Sequence, residues 1–163
     1  MAYLLDANVF IEAKNRYYGF DFCPAFWGWI VSENAARRLF SIEKVGIELQ
    51  AGSDVLADWA SARGVSFFLP TDAAVLPSLA SLSAWATTQS YSPAAITTFL
   101  EGADYYLAAH AHAHGHTVVT LERPEDSIRR VKIPSACIGL GVKWMNPFEM
   151  LRTERARFVL AAA

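Results

Sequence analysis

The sequence predicts an α/β fold in which a mostly parallel central sheet is flanked by helices, and three observations predict it. Two apolar runs, Tyr3-Leu4-Leu5 and His116-Thr-Val-Val-Thr-Leu121, stop abruptly at the carboxylates Asp6 and Glu122. Short apolar runs of this kind are buried strands with their acids delivered to the carboxyl ends. The segments between them carry apolar residues at three- and four-residue intervals, as amphipathic helices do. No two-residue hairpin joins the runs, and long crossovers are what parallel pairing requires. A length of 163 residues suits one domain, taken as 1–163.

Taken in order, the first strand leads into a helix over Ala7–Lys14, with Asn8 placed to cap a backbone donor or support Asp6. Glu12 follows about one turn later. An aromatic loop from Arg16 runs into a helix that starts near Pro24, a first-turn position, with Phe26, Trp27, Ile30 and Val31 on one face. Leu39–Ile42 is a short strand. A helix from Glu43 ends at Gly52, and a second one over Ser53–Ala62 ends at Gly64. Val65–Pro70 is a strand candidate, followed by a long helix and by another after Ser92-Pro93. Glu101 and Asp104 occupy the first turn of a helix that stops at Gly115, where the macrodipole favours acids. After the Glu122 strand come a small helix from Lys132-Ile-Pro134, an edge strand at Val142-Lys-Trp144 and a last helix opened by Pro147.

Composition excludes several classes. The apolar fraction is 53%, which makes membrane insertion the first to test, and no charge falls between Ala73 and Leu100. Pro77, Gln89 and Pro93 interrupt that stretch, and Val75, Leu76, Leu79, Leu82 and Trp85 recur with helical spacing, so it reads as a buried helix and a turn. No basic segment precedes a long apolar run at the start, so the expectation is a cytoplasmic protein without a secretory signal. Cys23 and Cys137 match no zinc or redox spacing and read as two packed thiols. The aromatic cluster around Phe26, Trp27 and Trp29 lacks interleaved basic residues, which favours core packing over a base-stacking platform. A net charge of −2 shows no whole-chain footprint for nucleic acid, so any polyanion must meet a local patch.

The chemistry lies in the acids. Asp6 and Glu122 share the carboxyl edge of the sheet, the ligand-binding edge of open α/β folds, and Asp104 reaches it if its helix leads back into the second strand. Carboxylates crowded together raise one another's pKa unless a cation neutralises them. Hard oxygen donors suit Mg²⁺ or Mn²⁺, which activates water and offsets charge on a scissile phosphate, the equipment for phosphodiester hydrolysis.

At this point the residues carry a family resemblance. The chain resembles PIN-domain proteins, the fold of the VapC-like toxin ribonucleases. Leu4-Leu-Asp6-Ala-Asn-Val-Phe-Ile11 resembles the N-terminal PIN motif, and Glu48-Leu49 fits the central Glu-Leu motif. Asp104 with Leu107-Ala-Ala-His-Ala111 resembles the Asp-x-x-x-Ala-x-x-Ala helix, and Gly115–Glu122 resembles the glycine–strand–Thr-x-Asp segment, with Glu in place of Asp. Val131-Lys-Ile-Pro-Ser-Ala-Cys137 is similar to a PIN-like branch with Lys-Ile-Pro after the last strand. The resemblance implies a three-layer PIN-like fold, metal ligation by Asp6 and Asp104, and an acidic pocket completed by Glu48 and Glu122, all four being the expected catalytic acids. Glu43, one to two turns earlier, competes with Glu48 for the central position.

Asn8, Thr120, Arg123, Arg129, Arg130 and Lys132 are the expected substrate-side residues, the basic ones as a local patch for a phosphate backbone. Arg152, Arg155 and Arg157 are expected to cover the last helix or touch a partner. The His110, His112, His114, His116 tract looks like a metal-binding run, but alternate helical residues fall on different faces, and a solvated face is the favoured reading. The implied function is a Mg²⁺- or Mn²⁺-dependent endoribonuclease acting on RNA, the toxin of a toxin–antitoxin pair, with a protein antitoxin and a homodimer as partners. A catalytically silent PIN-like protein-interaction or RNA-binding module is the alternative. A phosphatase with two aspartates at the first strand is disfavoured, because Asn8 stands where its second aspartate would be.

Overall fold

The computed structural model describes residues 1–162. Its central strand is β1 (Tyr3–Leu5), whose Leu4 and Leu5 have no exposed surface, as expected of a strand covered on both faces. On one side β1 pairs in parallel with β2 (Leu39–Ile42), Tyr3 opposite Leu39, and β2 pairs with β3 (Phe68–Leu69). On the other side it pairs with β4 (Thr117–Val119), Leu5 opposite Val119, and β4 pairs with β5 (Trp144–Met145). The sheet order is therefore β3-β2-β1-β4-β5, all parallel, as the sequence predicts.

The helices are α1 (Ala7–Glu12), α2 (Pro24–Ala35), α3 (Glu43–Gln50), α4 (Val55–Ser61), α5 (Val75–Thr88), α6 (Pro93–Glu101), α7 (Ala103–His114), α8 (Ile133–Leu140) and α9 (Pro147–Thr153). From β1 the chain winds outward through β2 to β3, then returns past β1 to β4 and β5. With right-handed crossovers, this reversal puts α1–α4 on one face and α5–α8 on the other. It also leaves a crevice between the carboxyl ends of β1 and β4, the switch point at which open sheets bind ligands.

Local chemistry explains most boundaries. Proline sits in the first turn of α2, α6, α8 and α9, where its missing N–H costs nothing. Gly115 ends α7 with φ 69°, a conformation glycine adopts without penalty. Gly46 lets α3 lie directly on β3, since a Cβ there would stand 2.8 Å from Phe68 Cγ.

Three elements differ from expectation. The first helix continues as a π-helical turn over Ala13–Tyr17, closed by the Tyr18 amide on the Ala13 carbonyl at 2.7 Å. Trp27 Nε1 then donates to the Tyr18 carbonyl at 2.7 Å, tying this turn to α2. The Val65–Pro70 strand shortens to two residues because Phe67 and Phe68 first turn back onto the Gly64 carbonyl. Val142 follows the Gly141 cap of α8, where its amide bonds the Cys137 carbonyl at 2.8 Å and closes the helix end, so β5 starts only at Trp144.

The aromatic cluster is packing: Tyr18 stacks on Phe26 at 4.4 Å and Phe20 on Trp27 at 4.0 Å, with Phe26 and Trp27 buried. Cys23 and Cys137 are free thiols. Among the described residues no helix is long and apolar enough to cross a membrane.

Candidate active site at the sheet switch point

Asp6 follows β1 directly and is 4% exposed. Its Oδ2 accepts a hydrogen bond from the Thr120 hydroxyl at 2.8 Å, across the gap between β1 and β4. The same hydroxyl oxygen accepts from Asn8 Nδ2 at 3.2 Å and from the Glu122 amide at 3.1 Å, and Asn8 Oδ1 accepts from the Leu121 amide at 3.1 Å. Thr120 thus has one donor and two acceptor positions all in use. Asn8 and Thr120 spend their polar atoms inside the protein, where they hold Asp6 in place. Burial pushes the Asp6 carboxyl up to about 6, the Thr120 hydrogen bond opposing and the Glu122 and Glu48 charges adding.

Asp104 lies in the first turn of α7. Burial pushes its carboxyl up to about 8, and Asp6 exerts the largest of the charge effects on it, followed by Glu122, with Arg130 opposing and Glu48 adding. Among the described residues no side-chain or backbone donor bonds this carboxylate. It lines a cavity of about 350 Å³ together with Glu48, Arg129 and Arg130. Glu43 is elsewhere, accepting from the Thr71 amide at 3.5 Å, so it is Glu48 that faces the cavity.

Glu122 is occupied. One carboxylate oxygen takes Arg130 at 2.8 Å and the other takes the Ile133 amide, at the start of α8, at 3.0 Å. Lys132 stands 3.6 Å from Glu125. Arg123 lies in a separate groove of about 1010 Å³ that Glu12, Glu122 and Glu149 also line. Arg129 is the exposed cation of the cavity without an ion pair among the described residues. Cys137 packs beneath the acids, and burial pushes its thiol up to about 12, with Asp6 and Asp104 adding.

The donor set fits a hard divalent ion. Asp6 is buried and Asp104 half-buried at the crevice, the Asp6 charge helps to raise the Asp104 carboxyl, Asp104 has no hydrogen-bond donor among the described residues, and the Arg130 guanidinium is committed to Glu122. A cation is what such a pair lacks. The acids do not, however, close into a set of three donors within 4.8 Å of one another.

The histidine tract departs from the solvated face expected of it. His110 is 4% exposed and both ring nitrogens lack a partner. His112 Nδ1 meets the Ser78 hydroxyl at 2.7 Å, and His116 Nδ1 accepts from the Ala2 amide at 3.1 Å. His114 Nε2 lies 2.9 Å from Asp72 Oδ2, and Asp72, His110 and His114 bring one ligand atom each within 4.8 Å of one another. Asp72 was not singled out by the sequence, where it is one acid in a turn.

Two solved structures share this fold. FitAcB from Neisseria gonorrhoeae is 23% identical, with 90% of this chain and 98% of that chain covered at a TM-score of 0.56. FitAB bound to the IR36 DNA fragment is 22% identical, with 90% and 95% covered and the same TM-score. At these identities the likeness is one of fold, and it agrees with the expected α/β architecture of a parallel central sheet flanked by helices. No curated protein matches the chain. Residues 3–158 match the model of the family described as a domain of unknown function, DUF4411, and with nearly the whole chain matched, the protein belongs to that family.

Proposed function

We propose that the protein is a metal-dependent endoribonuclease of PIN type, the toxin of a toxin–antitoxin pair. The observation that carries this reading is the pair Asp6, buried, and Asp104, half-buried, at the switch point with raised pKa values and no ion-pair partner among the described residues. A bound Mg²⁺ or Mn²⁺ would supply the activated water and offset charge on the scissile phosphate. Asp6 and Asp104 would hold it, with Glu48 and Glu122 adding negative field, Glu122 from its place against Arg130. Asn8 and Thr120 orient Asp6. Arg129, exposed beside the cavity, and Arg130 and Lys132, partly engaged with acids, would meet the RNA backbone, with Arg123 farther out.

The fold likeness to FitAB, itself solved bound to a DNA fragment, is compatible with this reading. The same proposal takes 1–163 as a single domain in the cytoplasm, with a protein antitoxin and a homodimeric state as its partners. A catalytically silent module is the second reading. It is favoured by the Glu122–Arg130 pair and by the absence of a three-acid set within 4.8 Å.

An RNA-cleavage assay separates the two. The nuclease requires cleavage that EDTA abolishes and Mg²⁺ restores, and that falls by at least about 10²-fold in Asp6→Asn and in Asp104→Asn. If the wild type binds Mg²⁺ yet leaves diverse RNAs intact beside an active control, the silent module is the correct reading.

A further inference from the structure

We infer that Asp72, His110 and His114 form a second metal site, separate from the acidic crevice and built for a divalent ion of the zinc class. His110 is the strongest sign. A buried imidazole whose nitrogens make no well-formed hydrogen bond, with the Pro70 backbone its one polar backbone neighbour from another element, carries a largely uncompensated desolvation cost, and few native polar groups are left in that state. A metal ion supplies the missing partner.

The geometry is prepared for one. His110 and His114 are four residues apart on α7 and so share a face, with ring centroids 4.8 Å apart. Asp72 enters from the turn before α5, its Oδ2 already 2.9 Å from His114 Nε2. The Val75 amide donates to Asp72 Oδ1 at 3.2 Å, which leaves Oδ2 directed at the histidines. Zinc–ligand bonds of about 2.0–2.2 Å put tetrahedral donors roughly 3.4 Å apart, inside the 4.8 Å within which the three ligand atoms lie. Small side-chain adjustments close the set.

The donor chemistry selects the ion. Two imidazoles and one carboxylate suit zinc and its neighbours, whereas Mg²⁺ prefers oxygen ligands alone. Ligating imidazoles must be neutral, so zinc uptake here is expected to weaken as pH falls. The three residues face a cavity of about 360 Å³ that Arg37, Phe40 and His116 also line, so a fourth position opens onto it for water or an anion. His114 and Asp104 lie on the same helix about 15 Å apart along its axis, so an ion here would clamp the far end of the helix that carries Asp104.

The test uses the full chain without a histidine tag, stripped with EDTA, dialysed and titrated calorimetrically with ZnCl₂. One equivalent is expected to bind, unaffected by excess Mg²⁺ and retained in the Asp6→Asn/Asp104→Asn variant. His114→Ala and Asp72→Asn, both at exposed positions, should each weaken it by at least about 10-fold. Saturating zinc should raise the melting temperature by about 5 °C or more. The site is refuted if the stripped wild type takes up no zinc, if His114→Ala binds it as tightly as wild type, or if the acid variant or Mg²⁺ abolishes uptake. The RNA assay plays no part in these outcomes, so this site and the nuclease reading stand or fall separately.

Discussion

Asp104, pushed up to about 8, and Asp6, pushed up to about 6, both favour the proton in the folded protein, against about 3.9 in the unfolded chain. The folded state therefore holds extra protons between about pH 4 and pH 8, and stability contributed by these acids falls as pH rises through that window. His116, pushed down to about 4 by burial, and the lowered His110 act in the opposite sense, and their effect fades as pH rises through about 6.5 and above. From about pH 6.5 to 8, thermal unfolding in EDTA should show stability falling, and Asp104→Asn should flatten that slope. Mg²⁺ should stabilise most at the alkaline end, where the acids are ionised. Rising stability across that interval in EDTA would refute the assigned environment of Asp104.

At the level of elements, the site depends on how closely the helices sit on the sheet. α3 carries Glu48 to the cavity, and it approaches β3 so closely that a methyl at Gly46 would meet the Phe68 ring at 2.8 Å. Gly46→Ala gains up to about 1 kcal/mol of helix propensity but forces the ring or the helix to move. Overpacking of this kind costs about 1–3 kcal/mol, so a net loss is expected in urea unfolding. A variant as stable as wild type would show that α3 has room to shift. α7 works at both ends, presenting Asp104 at the crevice and His110 and His114 to Asp72.

For the molecule as a whole, a net charge of −2 leaves RNA attraction to a local strip, of which Arg129 is the member beside the cavity without an ion pair among the described residues. Arg129→Gln should weaken RNA binding about equally for different sequences, and should reduce the slope of log affinity against log salt by about 1. Binding measured from about 50 to 200 mM salt tests this. An unchanged slope would remove Arg129 from the RNA path.

The sequence by itself determined what depends on near neighbours. Apolar runs ending in Asp6 and Glu122, prolines opening helices and Gly115 closing α7 follow from propensity and period, which act over a few residues. Those signals carried the strand set, the sheet edge and the candidate acids. The tertiary structure alone decided which acids remain free. Asp6 is held by a hydroxyl 114 residues away, and His114 meets Asp72 42 residues away. Even Glu122 and Arg130, only 8 residues apart, meet through an irregular loop rather than a helical repeat. Such contacts arise where separate elements cross. For the same reason His110, which in sequence belongs to a polar-looking tract, is buried by the elements packed against α7.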